Sequence, residues 1–191
     1  MPESEAEASS MPDADQLVPV PPTALAPFAY RGPARFTQCP PPPPDTAEPH
    51  PGNLAYSLTL PSAVSTPAIA FEIAEVLLES HQLGRLVRPA MHLVRELMTC
   101  ACRFTAAGED VYLALRQRDG VLRVIAYDTH PRHSHPRLAA ACDQRRQAAL
   151  RVVPDLVRTH RGRWGFDAAH SAANGTRTWA TLALTPPRRA A

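Results

Sequence analysis

Leu93-Val94-Arg95-Glu96-Leu97-Met98-Thr99-Cys100-Ala101-Cys102-Arg103-Phe104 and Val121-Leu122-Arg123-Val124-Ile125-Ala126-Tyr127-Asp128 are the two stretches that decide the fold. In the first, Leu93, Val94, Leu97, Met98 and Ala101 recur at intervals of three and four. That spacing places them on one face of a helix running from about Val87 to Phe104. In the second, apolar residues alternate and a carboxylate closes the run, the pattern of a strand with one buried face. Leu122, Val124 and Ala126 fall on one side of it, and Val121, Arg123, Ile125 and Tyr127 on the other. Asp119-Gly120 immediately before it is a two-residue hairpin signal, so Asp110 to Arg116 is expected as its antiparallel partner. Asp128 then sits at a strand end, with its carboxylate facing the helix that carries Glu96.

Working outward, Tyr56-Ser57-Leu58-Thr59-Leu60 alternates as a further strand. Thr66-Pro67 reads as a hydroxyl cap followed by proline at the first helical position. It opens a helix over about 67–81, with Ile69, Ile73, Val76 and Leu77 on the inward face. Leu138 to His160 has helical character, which Pro154 kinks or restarts. Trp164-Gly165-Phe166 and Arg177 to Leu184 are the last two strands, with Asn174-Gly175 as the turn between them. The order is strand, two helices, hairpin, helix, hairpin. It predicts an α+β two-layer sandwich, an antiparallel-dominated mixed sheet with helices on one face.

The chain has 191 residues, a 45% hydrophobic share and a net charge of +2, enough for one core with no pull toward nucleic acid or an anionic membrane. Fourteen of its 22 prolines lie in residues 1–52, including Pro40 to Pro44. Proline fixes φ and removes a donor, so this segment is expected to stay extended and disordered. The folded domain is expected over 54–185, with a loose end at 186–191. The acidic start (Glu3, Glu5, Glu7) is no signal peptide, and no run of apolar residues is long enough to span a bilayer. A reducing cytoplasm with free thiols at Cys39, Cys100, Cys102 and Cys142 is the expectation. His130, His133 and His135 form a polar loop, with no cysteine or second acidic residue in ligand spacing beside them. All twenty basic residues are arginine, so phosphate contacts must come from arginine or backbone amides.

Glu96 with Cys100 on the helix, and Asp128-Thr129-His130-Pro131 leaving the strand, resemble the first two nucleotide-site boxes of the histidine-kinase-like ATPase domains. The similarity is to the small anti-sigma-factor serine kinase branch of actinobacteria. Arg163-Trp164-Gly165-Phe166 and Gly175-Thr176-Arg177-Thr178-Trp179 resemble two further segments of that branch, and the likeness covers Tyr56 to Leu184. It implies the histidine-kinase-like ATPase fold, with ATP and Mg²⁺ as cofactors. By the same resemblance Glu96 is the general base and Asp128 accepts from the adenine amino group, with Thr129, Arg145, Arg146 and Thr178 on the nucleotide side.

The sequence departs from the family at two places. Where the family holds Mg²⁺ with Asn, one turn beyond the Glu, this chain has Cys100, and a hard cation prefers oxygen. Where a glycine-rich loop should bare its amides to phosphate, the chain reads Gln144-Arg145-Arg146-Gln147-Ala148-Ala149-Leu150. Arg145 and Arg146 are either a substitute charge or a solvated helix face. The resulting expectation is a regulatory protein with weakened or lost ATP and Mg²⁺ binding. It acts through a protein partner, such as a sigma factor or an anti-sigma antagonist, with a homodimer allowed. The alternatives are an active ATP-dependent protein serine kinase using Glu96, and a non-catalytic interaction module using the proline-rich tail.

Overall fold

The computed structural model describes residues 47–169 and 175–184. The expectations for residues 1–46, for Asn174 and for residues 186–191 lie outside them. Five strands and four helices follow one another as β1 (Ala55–Pro61), α1 (Thr66–Ser80), α2 (Val87–Arg103), β2 (Asp110–Arg118), β3 (Val121–Asp128), α3 (Pro136–Ala149), α4 (Val153–Thr159), β4 (Trp164–Ala168) and β5 (Thr176–Ala183). The sheet order is β1-β2-β3-β5-β4. The class is α+β, a sheet with a helical layer across one face. Among the described residues no helix is long and apolar enough to cross a membrane.

Every pairing is antiparallel, where a mixed sheet was expected. The helix pair α1–α2 carries the chain down and back, so β2 starts at the end where β1 finished and runs against it. At the other edge β4 runs in the same direction as β3, but β5 inserts between them and pairs with both. No parallel neighbours arise.

The hairpin β2–β3 turns at Asp119 and Gly120, with φ of 54° and 72°. Two left-handed residues make the twist-compatible turn that asparagine, aspartate and glycine favour. The register that follows aligns Leu113, Ala126 and Thr178 across three strands, and Leu115, Val124 and Ala180 beside them. These residues and Leu122 and Leu182 are buried. α2 lies across β2, β3 and β5 and buries Leu93, Val94, Leu97, Met98 and Ala101, the stripe its spacing predicts. One end of the buried sheet face is polar: Asp128, Thr176 and Thr178 continue the apolar columns there.

α1 packs on α2 with a different face from the one expected. Ala70, Ala74 and Leu78 are buried, whereas Ile69 is 46% and Val76 64% exposed. Glu72, Glu75 and Glu79, three and four apart, mark the outer side of this helix, opposite Ala70 and Ala74, while the larger Ile69 and Val76 lie beside that polar stripe. The small side chains of Ala70 and Ala74 permit close approach of the two helices, which large residues at the contact would prevent. Its cap also shifts by one: Ser65 is the N-cap, and the Thr66 hydroxyl instead donates to the Pro61 carbonyl at 2.5 Å. The stretch from Leu138 to His160 is two helices. Pro154, at the second position of α4, has no N–H to continue the ladder from α3.

The folded unit starts before Leu54. Pro51–Asn53 form a 3₁₀ turn, and the His50 carbonyl accepts from Nδ1 of buried His81 at 2.8 Å. A carbonyl only accepts, so His81 donates from Nδ1, and its Nε2 is hydrogen-bonded with the Tyr56 hydroxyl at 3.0 Å. This network ties residues 50–52, read from the sequence as tail, to α1 and β1.

Gly175 opens β5 under the end of β3, where a Cβ would stand 1.9 Å from the Asp128 carbonyl oxygen. Gly175→Ala must push the two strands apart, and is expected to lose about 1–3 kcal/mol of stability. Urea unfolding of the two proteins checks this, and equal midpoints would count against the close approach.

Candidate functional site

The polar end of the buried sheet face is where most of the sequence-selected residues meet. Asp128 is the last residue of β3, and the inward alternation that buries Leu122, Val124 and Ala126 turns its carboxylate under the helices. There it meets Arg146 from α3. Arg146 Nη1 donates to Asp128 Oδ2 at 2.5 Å and Nη2 to Oδ1 at 3.4 Å. Both side chains are 1% exposed. Oδ1 also accepts from the His130 backbone N–H at 3.0 Å. Nη1 further reaches Thr178 Oγ1 at 3.4 Å and Cys100 Sγ at 3.9 Å. The guanidinium carbon lies 4.0 Å from the ring centroid of Phe104, a cation–π stack.

A buried ion pair holds only when its remaining donors and acceptors are satisfied, because desolvation otherwise outweighs the attraction. Here they are: no buried side-chain nitrogen or oxygen among the described residues lacks a partner. Burial nonetheless pushes the Asp128 carboxyl above its ordinary value, against the pull of the Arg146 hydrogen bond and charge. Burial also raises the Cys100 thiol, from 9.0 to about 11, with Arg146 opposing. Cys100 is therefore a neutral thiol at physiological pH, a small apolar group lining the arginine's slot.

Asp128, Arg146, Thr178 and Cys100 are thus brought together, and the others are not. Thr129 lies just outside, its N–H donating to Thr105 Oγ1 at 3.3 Å and its hydroxyl to the exposed Glu109 carboxylate. Arg145 is exposed and lines a cavity of about 790 Å³ between the end of α2, the loop before α3, and α3. Glu96 is half-buried on α2 and does not line that cavity. No hydrogen bond or ion pair among the described residues engages it. Asp128 has almost no solvent-facing surface, so Glu96 and Asp128 share no open pocket.

Two participants are not evident from the sequence: Phe104, which stacks on Arg146, and Cys142, which lies beside His130 and His133. The stripe that holds Arg146 shows once α3 is placed. Ala139, Cys142, Asp143, Arg146, Ala149 and Leu150 are the less exposed residues of the helix, spaced three and four apart, so the arginine lies on the inward stripe. Arg177, read with the basic neighbourhood, forms a two-bond pair with Asp167 across β4 and β5, at 2.9 and 2.8 Å.

No protein-family model matches the chain, and no curated protein is significantly similar to it.

The Cys100 thiol supplies a pH test. Its folded value of about 11 exceeds the unfolded 9.0, so its contribution to stability is complete below pH 9 and is lost as pH rises toward 11. Cys100→Ala should remove that part of the alkaline loss, on the order of 2–3 kcal/mol. Unfolding curves of both proteins at pH 8 and near 11 check it, and a parallel decline in the two would contradict the buried-thiol assignment.

Proposed function

We propose that the chain is a cytoplasmic regulatory protein of the histidine-kinase-like ATPase fold, similar to anti-sigma-factor serine kinases. It has given up nucleotide chemistry and acts by binding a protein partner, a sigma factor or an anti-sigma antagonist. The observation that carries this reading is the buried contact of Arg146 with Asp128. The carboxylate that the resemblance assigns to adenine already accepts from a guanidinium, and a phenyl ring covers the other side of that guanidinium. An adenine would have to displace Arg146 and leave its charge buried without a partner.

The remaining elements of a magnesium nucleotide site fit no better. A divalent cation at the family's metal position would meet a neutral thiol in place of an oxygen, with a guanidinium nitrogen 3.9 Å from that sulfur. Like charges repel there. The segment Gln144 to Ala149 is continuous α-helix, so its amides donate within the helix and are not bared to phosphate. Glu96 then has no bound phosphoryl group to act on, since that transfer depends on metal and backbone positioning. What supports the fold in this reading is the helix–strand arrangement that sets α2 over the end of β3.

Calorimetric titration of the full chain with ATP, with and without Mg²⁺, tests the reading. The expected result is no saturable binding up to about 1 mM, an affinity weaker than about 4 kcal/mol. A micromolar, Mg²⁺-dependent site that disappears in Asp128→Asn would overturn it.

A further inference from the structure

We propose that His130, His133 and Cys142 form a binding site for a thiophilic divalent cation of the zinc class, independent of the nucleotide reading above. The chain brings these residues together through tertiary structure. His130 and His133 lie in the loop between β3 and α3, and Cys142 lies in α3. One ligand atom from each lies within 4.8 Å of the others. The two Nε2 atoms are 3.1 Å apart.

Tetrahedral zinc, with Zn–N near 2.0–2.1 Å and Zn–S near 2.3 Å, sets donor separations of roughly 3.3 Å between nitrogens and roughly 3.5 Å between nitrogen and sulfur. The imidazole pair already matches, and the third donor, from Cys142, lies within 4.8 Å of both. Without a cation, one imidazole must donate to the other. With one, both lone pairs point at the metal.

The ligands are held by contacts from several elements. The His130 backbone is held on both sides: its N–H donates to Asp128 Oδ1 at 3.0 Å, and its carbonyl accepts from Thr176 Oγ1 at 2.9 Å. Its ring packs against Phe104, with centroids 5.7 Å apart. Cys142 stands one helical turn before buried Arg146, and its neighbour Asp143 pairs with Arg132 of the loop through two hydrogen bonds. Loop and helix are thus fixed to each other at the point where the three donors converge, the preorganisation a metal site needs.

Two imidazoles and a thiolate suit zinc and exclude magnesium or calcium. All three ligands line the cavity of about 790 Å³, so the fourth position has room for water or an anionic group. Arg103 and Arg145, which also line it, favour the anion. Uptake of the cation replaces the thiol proton of Cys142, which leaves to solvent.

The untagged full chain, stripped with chelator and desalted, is titrated with Zn²⁺ against a chromogenic chelator, and with Co²⁺ for its spectrum. One equivalent should bind, with thiolate-to-cobalt charge-transfer absorption that Cys142→Ser abolishes. His133→Ala should weaken Zn²⁺ by more than about a hundredfold, beyond the loss that follows removal of an outer hydrogen-bond partner of a ligand. In the unmodified chain one equivalent of Zn²⁺ should slow alkylation of Cys142 by at least about tenfold and leave Cys102 unchanged, because a metal-bound thiolate is withheld from the reagent. No stoichiometric uptake, a cobalt spectrum that survives Cys142→Ser, or equal alkylation of Cys142 with and without zinc would each overturn the assignment.

Discussion

The ion pair between Asp128 and Arg146 is the constraint around which the polar half of this domain is arranged. It joins the end of the central hairpin to α3, and the same guanidinium touches Cys100 and Phe104 at the end of α2 and Thr178 on β5. Four elements therefore meet on one side chain. Two opposite charges taken out of water cost several kcal/mol each before pairing. The arrangement is stable because Asp128, Thr178, the His130 amide and the Phe104 ring together satisfy both ions. Removing Asp128 or Arg146 leaves the other charge buried without compensation, and the neutral groups around the pair satisfy what remains.

α3 depends on this contact most. Most of its residues are exposed, and Arg146 is the one buried residue within its bounds. A helix with so narrow an apolar face gains little from area burial. Its position is set by Arg146, by Ala149 and Leu150 at its end, and by the Arg132–Asp143 pair in front of it. The loop of residues 129–135 is positioned by the same network through His130. The sealed strand end and the convergence of His130, His133 and Cys142 are in that sense two consequences of one docking event.

Much of the frame was legible in the sequence. The stripe of α2 and the alternation of β3 are strong periodic signals, and Asp119-Gly120 set the hairpin register that puts Asp128 inward. The face of α1 differs from the expected one because the larger Ile69 and Val76 do not mark it; Glu72, Glu75 and Glu79 mark the outer side, and the small Ala70 and Ala74 opposite them meet α2. Insertion of β5 between β3 and β4 is a matter of connection geometry that no local pattern encodes. In the candidate site, the inward placement of Asp128 followed from alternation, whereas Cys100 lies outside the expected stripe of α2 and its burial emerges only in the structure. The partner Arg146 sits beside the exposed Arg145, and adjacent arginines look alike until α3 is placed. Cys142 is nine residues beyond His133, a separation that becomes ligand spacing only when the loop folds back on the helix.

The most direct measurement is a double-mutant cycle in urea unfolding, with Asp128→Asn, Arg146→Met and the two combined. Each single change leaves one buried polar partner behind and is predicted to lose about 3–5 kcal/mol. The double variant should recover part of that, giving a coupling above about 2 kcal/mol, as for residues within one network. Single losses that add to the double within about 0.5 kcal/mol would show that the two side chains act independently, and would contradict the buried pair as the organising contact.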